Sequence, residues 1–430
     1  MVGALTEAGW LEVAEPDSAS VILVNSCGFI EPAQTESIEA AFEQIGEHPD
    51  ARVVMTGCLA QRFPEELARE MPELAGVFGN RRPEEISSFL RTITDNGSEG
   101  QQETQSNVPE GRPVWHNRPA YRPRLYTPPG TAHLKIAEGC NHNCAFCAIP
   151  QIRGTLRSRP IEALLREFRE LIDRGVGEVN LIAQDLSLLG TDKGRKDFLP
   201  LLQGISGVTG DFWVRLLYIY PEHFPLEVLD LCNEDPRILP YFDLPVQHAS
   251  PKVLRAMGRP ATPDRTLKTL NAIKERSSGA TVRTTFLVGY PGEGESEFRE
   301  LLAFQQQAQF DWMGAFVYSP QEGTKGLELA SGAEAVPQEI AEERARLLYD
   351  AQATITSERL SRFVGREEQL LVEERVEGED LYFARGAMQA PEVDGTVVLS
   401  APAGSVEPGA FCRGVITGVD GYDLRARRIP

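Results

Sequence analysis

The chain has 430 residues, 41% apolar and 25% charged, which is the balance of an ordinary globular protein with room for roughly two to four domains. No apolar run approaches the ~20 residues that span a bilayer, and no basic stretch followed by an apolar one opens the chain, so neither a membrane-spanning helix nor a secretory signal is expected. A net charge of −20 steers such a protein poorly toward nucleic acid and well toward a basic partner.

Residues 1–92 read as an α/β domain. Val21 to Asn25 is a continuous apolar strand of the buried parallel type, ending at Ser26-Cys27-Gly28. A helix with Ile38, Ala41, Phe42 and Ile45 on one face follows. Arg52 to Met55 repeats the strand and ends at Thr56-Gly57-Cys58. Cys27 and Cys58 thus stand at equivalent strand ends, where ligands of open α/β sheets gather. Either alone is by default a small buried hydrophobe; as a pair beside glycines they are a candidate shared site. Residues 93–130 are polar and Gly/Ser/Gln-rich, then mix Arg112, Arg118, Arg122 and Arg124 with Trp115, Tyr121 and Tyr126. Basic residues among aromatics can touch RNA, but a linker packed on its neighbouring domains is the simpler expectation.

His133 to Ala137 reads as a strand that opens into a loop carrying Cys140, Cys144 and Cys147, a C-x3-C-x2-C spacing. Three thiolates on eight residues can hold three irons of a four-iron cluster, leaving one iron open, as a catalytic metal requires. The alternatives are a zinc site using His142 and a distant ligand, or three unrelated core thiols. Seven cysteines with three in one loop fit a reducing, cytoplasmic setting with metal chemistry better than a disulfide framework. Beyond the loop, Arg153, Arg157 and Arg159 read as a solvated basic face. An apolar stripe from Ile161 to Ile172 predicts a helix ended by Gly175. Strands are expected at 178–183, 213–219, 241–246, 282–288 and 313–318, giving with the first a six-stranded parallel sheet. The polar residues at their ends are Gln184-Asp185, Arg215 with Tyr218, Gln247-His248, and Gly289 to Glu293. Cys232 and Cys412 read as core residues. A charged helix spans about 339–361, and residues 362–430 break into short strands at 369–372, 381–384, 396–399 and 415–416.

The cysteine spacing, with Phe146 just before the third cysteine, resembles that of the radical S-adenosylmethionine (SAM) enzymes. KIAEGCNHNCAFCAIPQIRGTLRSRP resembles the methylthiotransferases among them, and within those the branch that modifies ribosomal protein S-12. The tRNA-modifying branch usually has Tyr-Thr where Gln151-Ile152 stand. The resemblance implies a partial (β/α)6 radical SAM barrel over 131–361 and, over 362–430, a small TRAM-like β-barrel. It implies a 4Fe-4S cluster on Cys140, Cys144 and Cys147, SAM on the open iron, and Phe146, Gln184, Asp185, Arg215, Gly289, Gly292 and Glu293 as cofactor contacts. It further implies an auxiliary 4Fe-4S cluster on three cysteines of the N-terminal domain. Cys27 and Cys58 match two of them; the strand and cysteine that precede the opening helix in the family are not found. The implied substrate is an aspartate β-carbon of S-12, with an outside electron donor. The rival expectations are a tRNA adenosine methylthiotransferase and a non-catalytic iron–sulfur protein that docks on the ribosome.

Overall fold

The computed structural model describes residues 1–95, 104–108, 122–259, 262–277, 279–332 and 334–430. The N-terminal alternation of apolar strands and helices folds into a four-stranded parallel sheet in the order β1 (Val21–Ser26), β2 (Arg52–Gly57), β3 (Gly76–Gly79) and β4 (Gln105–Asn107). β4 falls in the stretch expected to be linker. β1 is an edge strand among the described residues, so Val21 to Val24 are only half-buried despite a run that reads as fully buried. On the helix Glu31–Glu47, Ala41 faces the core, but Phe42 turns out to be 45% exposed. Arg112, Trp115, Arg118 and Tyr121 lie outside the described residues. Arg122 and Arg124, which follow them, pack on the domains: Arg122 donates to the His133 carbonyl and pairs with Glu167, and Arg124 pairs with Glu12.

The central sheet begins with β5 (Thr131–Lys135), shifted slightly from the expected strand. Ala137–Glu138 leaves it as β6 and pairs antiparallel with β7 (Arg157–Ser158), so the two clamp the base of the cysteine loop. The remaining strands are β8 (Glu178–Ile182), β9 (Trp213–Leu216), β10 (Ile238–Asp243), β11 (Thr281–Val288) and β12 (Trp312–Val317). The sheet order is β5-β8-β9-β10-β11-β12, all parallel, which is the expected open six-stranded barrel. Helices cover its outside. In the helix Ile161–Asp173, Leu164, Phe168 and Leu171 are buried, and Gly175, at φ +83°, takes the chain away from it.

The C-terminal residues close into a barrel of β13 (Glu367–Arg375), β14 (Leu381–Gly386), β15 (Val397–Ser400), β16 (Phe411–Asp420) and β17 (Asp423–Arg428), ordered β13-β14-β15-β17-β16. This barrel seats against the N-terminal ends of the central strands. Trp213, Leu239, Tyr241 and Trp312 share one apolar core with Leu371, Tyr382, Val397 and Ile416. The Trp312 indole donates to the Met388 carbonyl at 2.7 Å, and the Tyr241 hydroxyl donates to Asp394 at 2.6 Å.

At the centre of this seam, fully buried Glu178 of β8 accepts from Arg215 Nε at 2.7 Å and from Arg385 Nη2 at 2.5 Å. Arg385 also pairs with Glu373, and Arg215 reaches the Ala387 carbonyl. Burial alone raises the Glu178 carboxyl, but the charges of Arg215 and Arg385 outweigh it and hold it at about 2. The folded value lies below the ordinary 4.5, so the stabilisation is fully present above that pH and is lost as the pH falls toward 2. Glu178→Gln leaves two buried arginines short of a counter-charge and should cost about 3–5 kcal/mol. Urea midpoints between pH 7 and pH 2 test this: a variant with the wild-type midpoint, or with the same loss in acid, would show that the pair contributes nothing.

Candidate active site

The cysteine loop is held by backbone bonds before any cofactor is considered. Cys140 N–H donates to the Gly154 carbonyl at 3.1 Å, Ala145 N–H to Met257 at 2.8 Å, and Cys147 N–H to Cys144 at 3.1 Å. Asn141 Oδ1 accepts from Leu156 N–H. Gly139, at φ +76°, passes so close to Gly154 and Thr155 that a Cβ would lie 2.5 Å from the Thr155 carbonyl oxygen. Side chains brace the loop too. His142 Nε2 meets the Asp185 carboxylate at 2.9 Å, its ring stacks on Tyr220 at 4.1 Å, and the Tyr220 hydroxyl lies 3.5 Å from Cys144 Sγ.

Burial pushes the Cys140 thiol up to about 11 and Cys147 up to about 12. Both therefore hold their protons at neutral pH until a metal takes their place. Three soft donors on a pre-shaped loop fit an iron–sulfur cluster. Among the described residues no three His, Cys, Asp or Glu side chains converge on a point as the ligands of a single ion must. Cluster thiolates each take a separate iron and need no such convergence; the zinc reading does need it.

A cavity of about 880 Å³ opens beside Cys140 and Cys147 at the C-terminal ends of the strands. Phe146, Gln184, Tyr218, Tyr220, Gln247 and Gly289 line it, and Phe29 to Pro32 of the N-terminal domain line its far side. Tyr218 (φ +68°) and Gln247 (φ +69°) follow adjacent strands in left-handed backbone, a conformation that costs a non-glycine residue about 1–3 kcal/mol. Gln247 is fixed there by its N–H to the Thr285 carbonyl and its carbonyl to Leu287 N–H. The charged residues of the wall are Glu31 and Glu342, with no Lys, Arg or His among its described members.

Cys27 and Cys58 follow the registered pair Ser26–Gly57, at one rim of the N-terminal sheet. A Cβ on Gly28 would lie 2.7 Å from the Cys58 backbone, so the two loops touch only because that residue is glycine. Cys27 is exposed, and its N–H donates to Ser37 Oγ. Cys58 Sγ accepts from Asn80 Nδ2 at 3.3 Å and from Arg153 Nη2 at 3.0 Å. Arg153 ends the short helix Ile149–Arg153 that follows Cys147, and it also pairs with Glu138. One side chain thus spans the two cysteine sites. Arg81 reinforces the joint through the Gln151 and Ile152 carbonyls, and Arg62 does so through Gln321.

The expected cofactor contacts divide. Phe146, Gln184 and Gly289 line the cavity. Asp185 does not; its carboxylate orients His142 and caps Ser187 N–H. Arg215 lies in the lower layer of the barrel on Glu178, facing the C-terminal seam. Gly292 is outside the wall, and Glu293 is turned inward, accepting from Gly289 N–H at 2.8 Å and Arg344 at 2.9 Å. His248 is fully buried and accepts from Ser250 N–H. Arg153 and Arg159 are not a solvated face: Arg159 is 4% exposed and bonds Lys135 and Glu167. Cys232 and Cys412 sit in or against the cores, as expected. Sequence reasoning missed Tyr220 and the Phe29–Pro32 wall, neither of which carries a spacing signal.

The model of the radical SAM superfamily matches residues 134–304, that of the TRAM domain residues 364–429, and that of uncharacterized protein family UPF0004 residues 1–79. The ribosomal protein uS12 methylthiotransferase RimO of Treponema denticola is 37% identical over 99% of this chain and 96% of its own length. The protein of the same name from Sorangium cellulosum is 40% identical over 99% and 86%. Among solved structures, the radical SAM methyltransferase TsrM of Kitasatospora setae aligns over 74% of this chain and 68% of its own at a TM-score of 0.56 and 16% identity, a likeness of fold. With three domain models in series and close relatives along nearly its whole length, the chain belongs to the RimO family of radical SAM methylthiotransferases.

Proposed function

We propose that this member of the family adds a methylthio group to the β-carbon of an aspartate in ribosomal protein uS12. The observation that carries the reading is the single cavity reaching from Cys140 and Cys147 to Phe29–Pro32, next to Cys27. A 4Fe-4S cluster on Cys140, Cys144 and Cys147 with SAM on its open iron supplies one-electron chemistry that reaches an unactivated C–H bond, where acid–base groups have no purchase. The chain's residues do the rest. Phe146, Tyr218 and Tyr220 give the cavity an aromatic wall. Gln184 and Gln247 offer neutral hydrogen-bonding groups, and Gln184 Oε1 has no partner among the described residues. Gly289 turns at φ +76° where a Cβ would collide with Ala341, which brings its backbone into the cavity wall. Cys27 and Cys58 serve as protein ligands of the auxiliary cluster, with Arg153 and Asn80 hydrogen-bonded to the Cys58 sulfur. An outside electron donor is required.

A protein substrate suits the charges better than tRNA does. The C-terminal barrel, residues 362–430, holds eight Arg, no Lys and twelve acidic residues, a net of −4, where an RNA-binding surface is basic. The exposed Glu31 and Glu342 at the cavity likewise favour a basic segment. The reading sets the reaction in the cytoplasm, and no helix among the described residues is long and apolar enough to cross a membrane.

Replacing Cys140, Cys144 or Cys147 with Ala should abolish SAM cleavage, followed as 5′-deoxyadenosine by chromatography; cleavage that survives sinks the assignment. Cys27→Ala and Cys58→Ala should keep cleavage but lose methylthio transfer to uS12, read by mass spectrometry of the protein. Transfer at the wild-type rate would remove both from the site. Glu31→Lys combined with Glu342→Lys should raise the KM for uS12 by about 2–5-fold at low salt and leave SAM cleavage alone. An unchanged KM would mean that these carboxylates do not meet the substrate.

A further inference from the structure

Behind the cysteine loop lies a cation that the proposed reaction does not use. Arg259 is 3% exposed. It follows Gly258, which turns at φ +70° under the Asn143 carbonyl, where a Cβ would come within 2.8 Å of that oxygen. The Ala145 N–H bond to Met257 ties the same segment to the loop. The Arg259 guanidinium lies 4.0 Å from the centre of the Tyr220 ring, whose hydroxyl is 3.5 Å from Cys144 Sγ. Its Nη2 meets the Pro245 carbonyl at 3.0 Å and Glu222 at 3.3 Å. Its Nε and Nη1 meet no oxygen acceptor among the described residues, and the Cys144 side chain is within hydrogen-bonding reach of the guanidinium.

A guanidinium this deep ordinarily has acceptors for its N–H groups, because an unmade bond to a buried charge is expensive. Glu222 is the carboxylate paired with it, and at 3.3 Å that contact is long for a charge-assisted bond. The charge it lacks is that of the cysteine loop, whose Cys144 side chain it meets directly. With a four-iron cluster in place, three thiolates would outweigh the positive charge of its core and leave a net negative site in a poorly solvated loop. We infer that Arg259 is the buried counter-charge of the Cys140, Cys144 and Cys147 cluster and that it raises the reduction potential of that cluster. The inference rests on the cluster assignment made above. Reduction adds an electron to a site that is already anionic, so a fixed cation stabilises the reduced form more than the oxidised one. Glu222, paired with the guanidinium, opposes it.

The test uses the full chain, reconstituted anaerobically, with iron counted per chain and the cluster potential measured by EPR-monitored titration. Arg259→Met should retain the irons of the loop but lower the reduced-to-oxidised ratio at a fixed potential about tenfold, about 59 mV for one electron. Arg259→Lys, which keeps the charge, should recover most of that shift. Glu222→Gln should move the potential the opposite way, and it keeps the test decisive where Arg259→Met fails to fold. A wild-type potential in Arg259→Met with its irons intact, or a shift of the same sign in Glu222→Gln, overturns the inference and leaves the cluster assignment standing. A wild-type chain that binds no iron at this loop removes both.

Discussion

Two arginines from different domains converge on one buried carboxylate, and the placing of everything else follows from that convergence. Glu178 opens β8, Arg215 stands on β9, and Arg385 arrives from β14. An open six-stranded barrel has an unfilled lower end, and charges buried there demand partners. The C-terminal barrel supplies them, with Trp213, Tyr241 and Trp312 packed around the ion pairs. The lower end is thereby closed by protein, and the upper end is left as the face where strand ends, the cysteine loop and the N-terminal domain meet around the cavity.

The two ends handle charge in opposite ways. Below, acids and bases are matched and dry. Above, the cavity wall is aromatic and amide, with carboxylates at its exposed parts and cations held just outside it. Arg153 is spent on Cys58 and Glu138, and Arg259 is buried against Tyr220 and Cys144. Each lies near a cysteine site without lining the cavity. The space left between the cysteine sites is walled mainly by uncharged groups, and the charges it does carry, Glu31 and Glu342, are acidic.

Much of this was legible in the sequence because it is written in local pattern. The C-x3-C-x2-C loop, the six apolar strands and the stripe from Ile161 to Ile172 depend on neighbours close in the chain, and they appear close to where expected, the first and fourth strands beginning a few residues early. What was not legible depends on residues far apart. β17 escaped because Leu424 and Ala426 alternate with arginines in a run that looks polar. β4 escaped because it is three residues long and joins its sheet from within a polar stretch. Arg215 shares a strand end with Tyr218, but only the alternation of a barrel interior shows that the first faces the seam and the second the cavity. Glu293 sits in a turn that resembles a cofactor contact, yet its carboxylate is occupied by Gly289 N–H and Arg344, a residue 51 positions away. Arg259 carries no motif; it matters through its neighbours.

The shared core at the lower end bears on how such a protein can change over time. A boundary near residue 361 is plain in the sequence, and the C-terminal barrel has a family model of its own, as an exchangeable module would. Its apolar core nevertheless includes Trp213, Leu239, Tyr241 and Trp312 from the other side of that boundary, and its Arg385 answers to Glu178. A replacement barrel would have to bring its own match for each of these. The two stretches are therefore bound to drift together, one inherited unit despite two recognisable names.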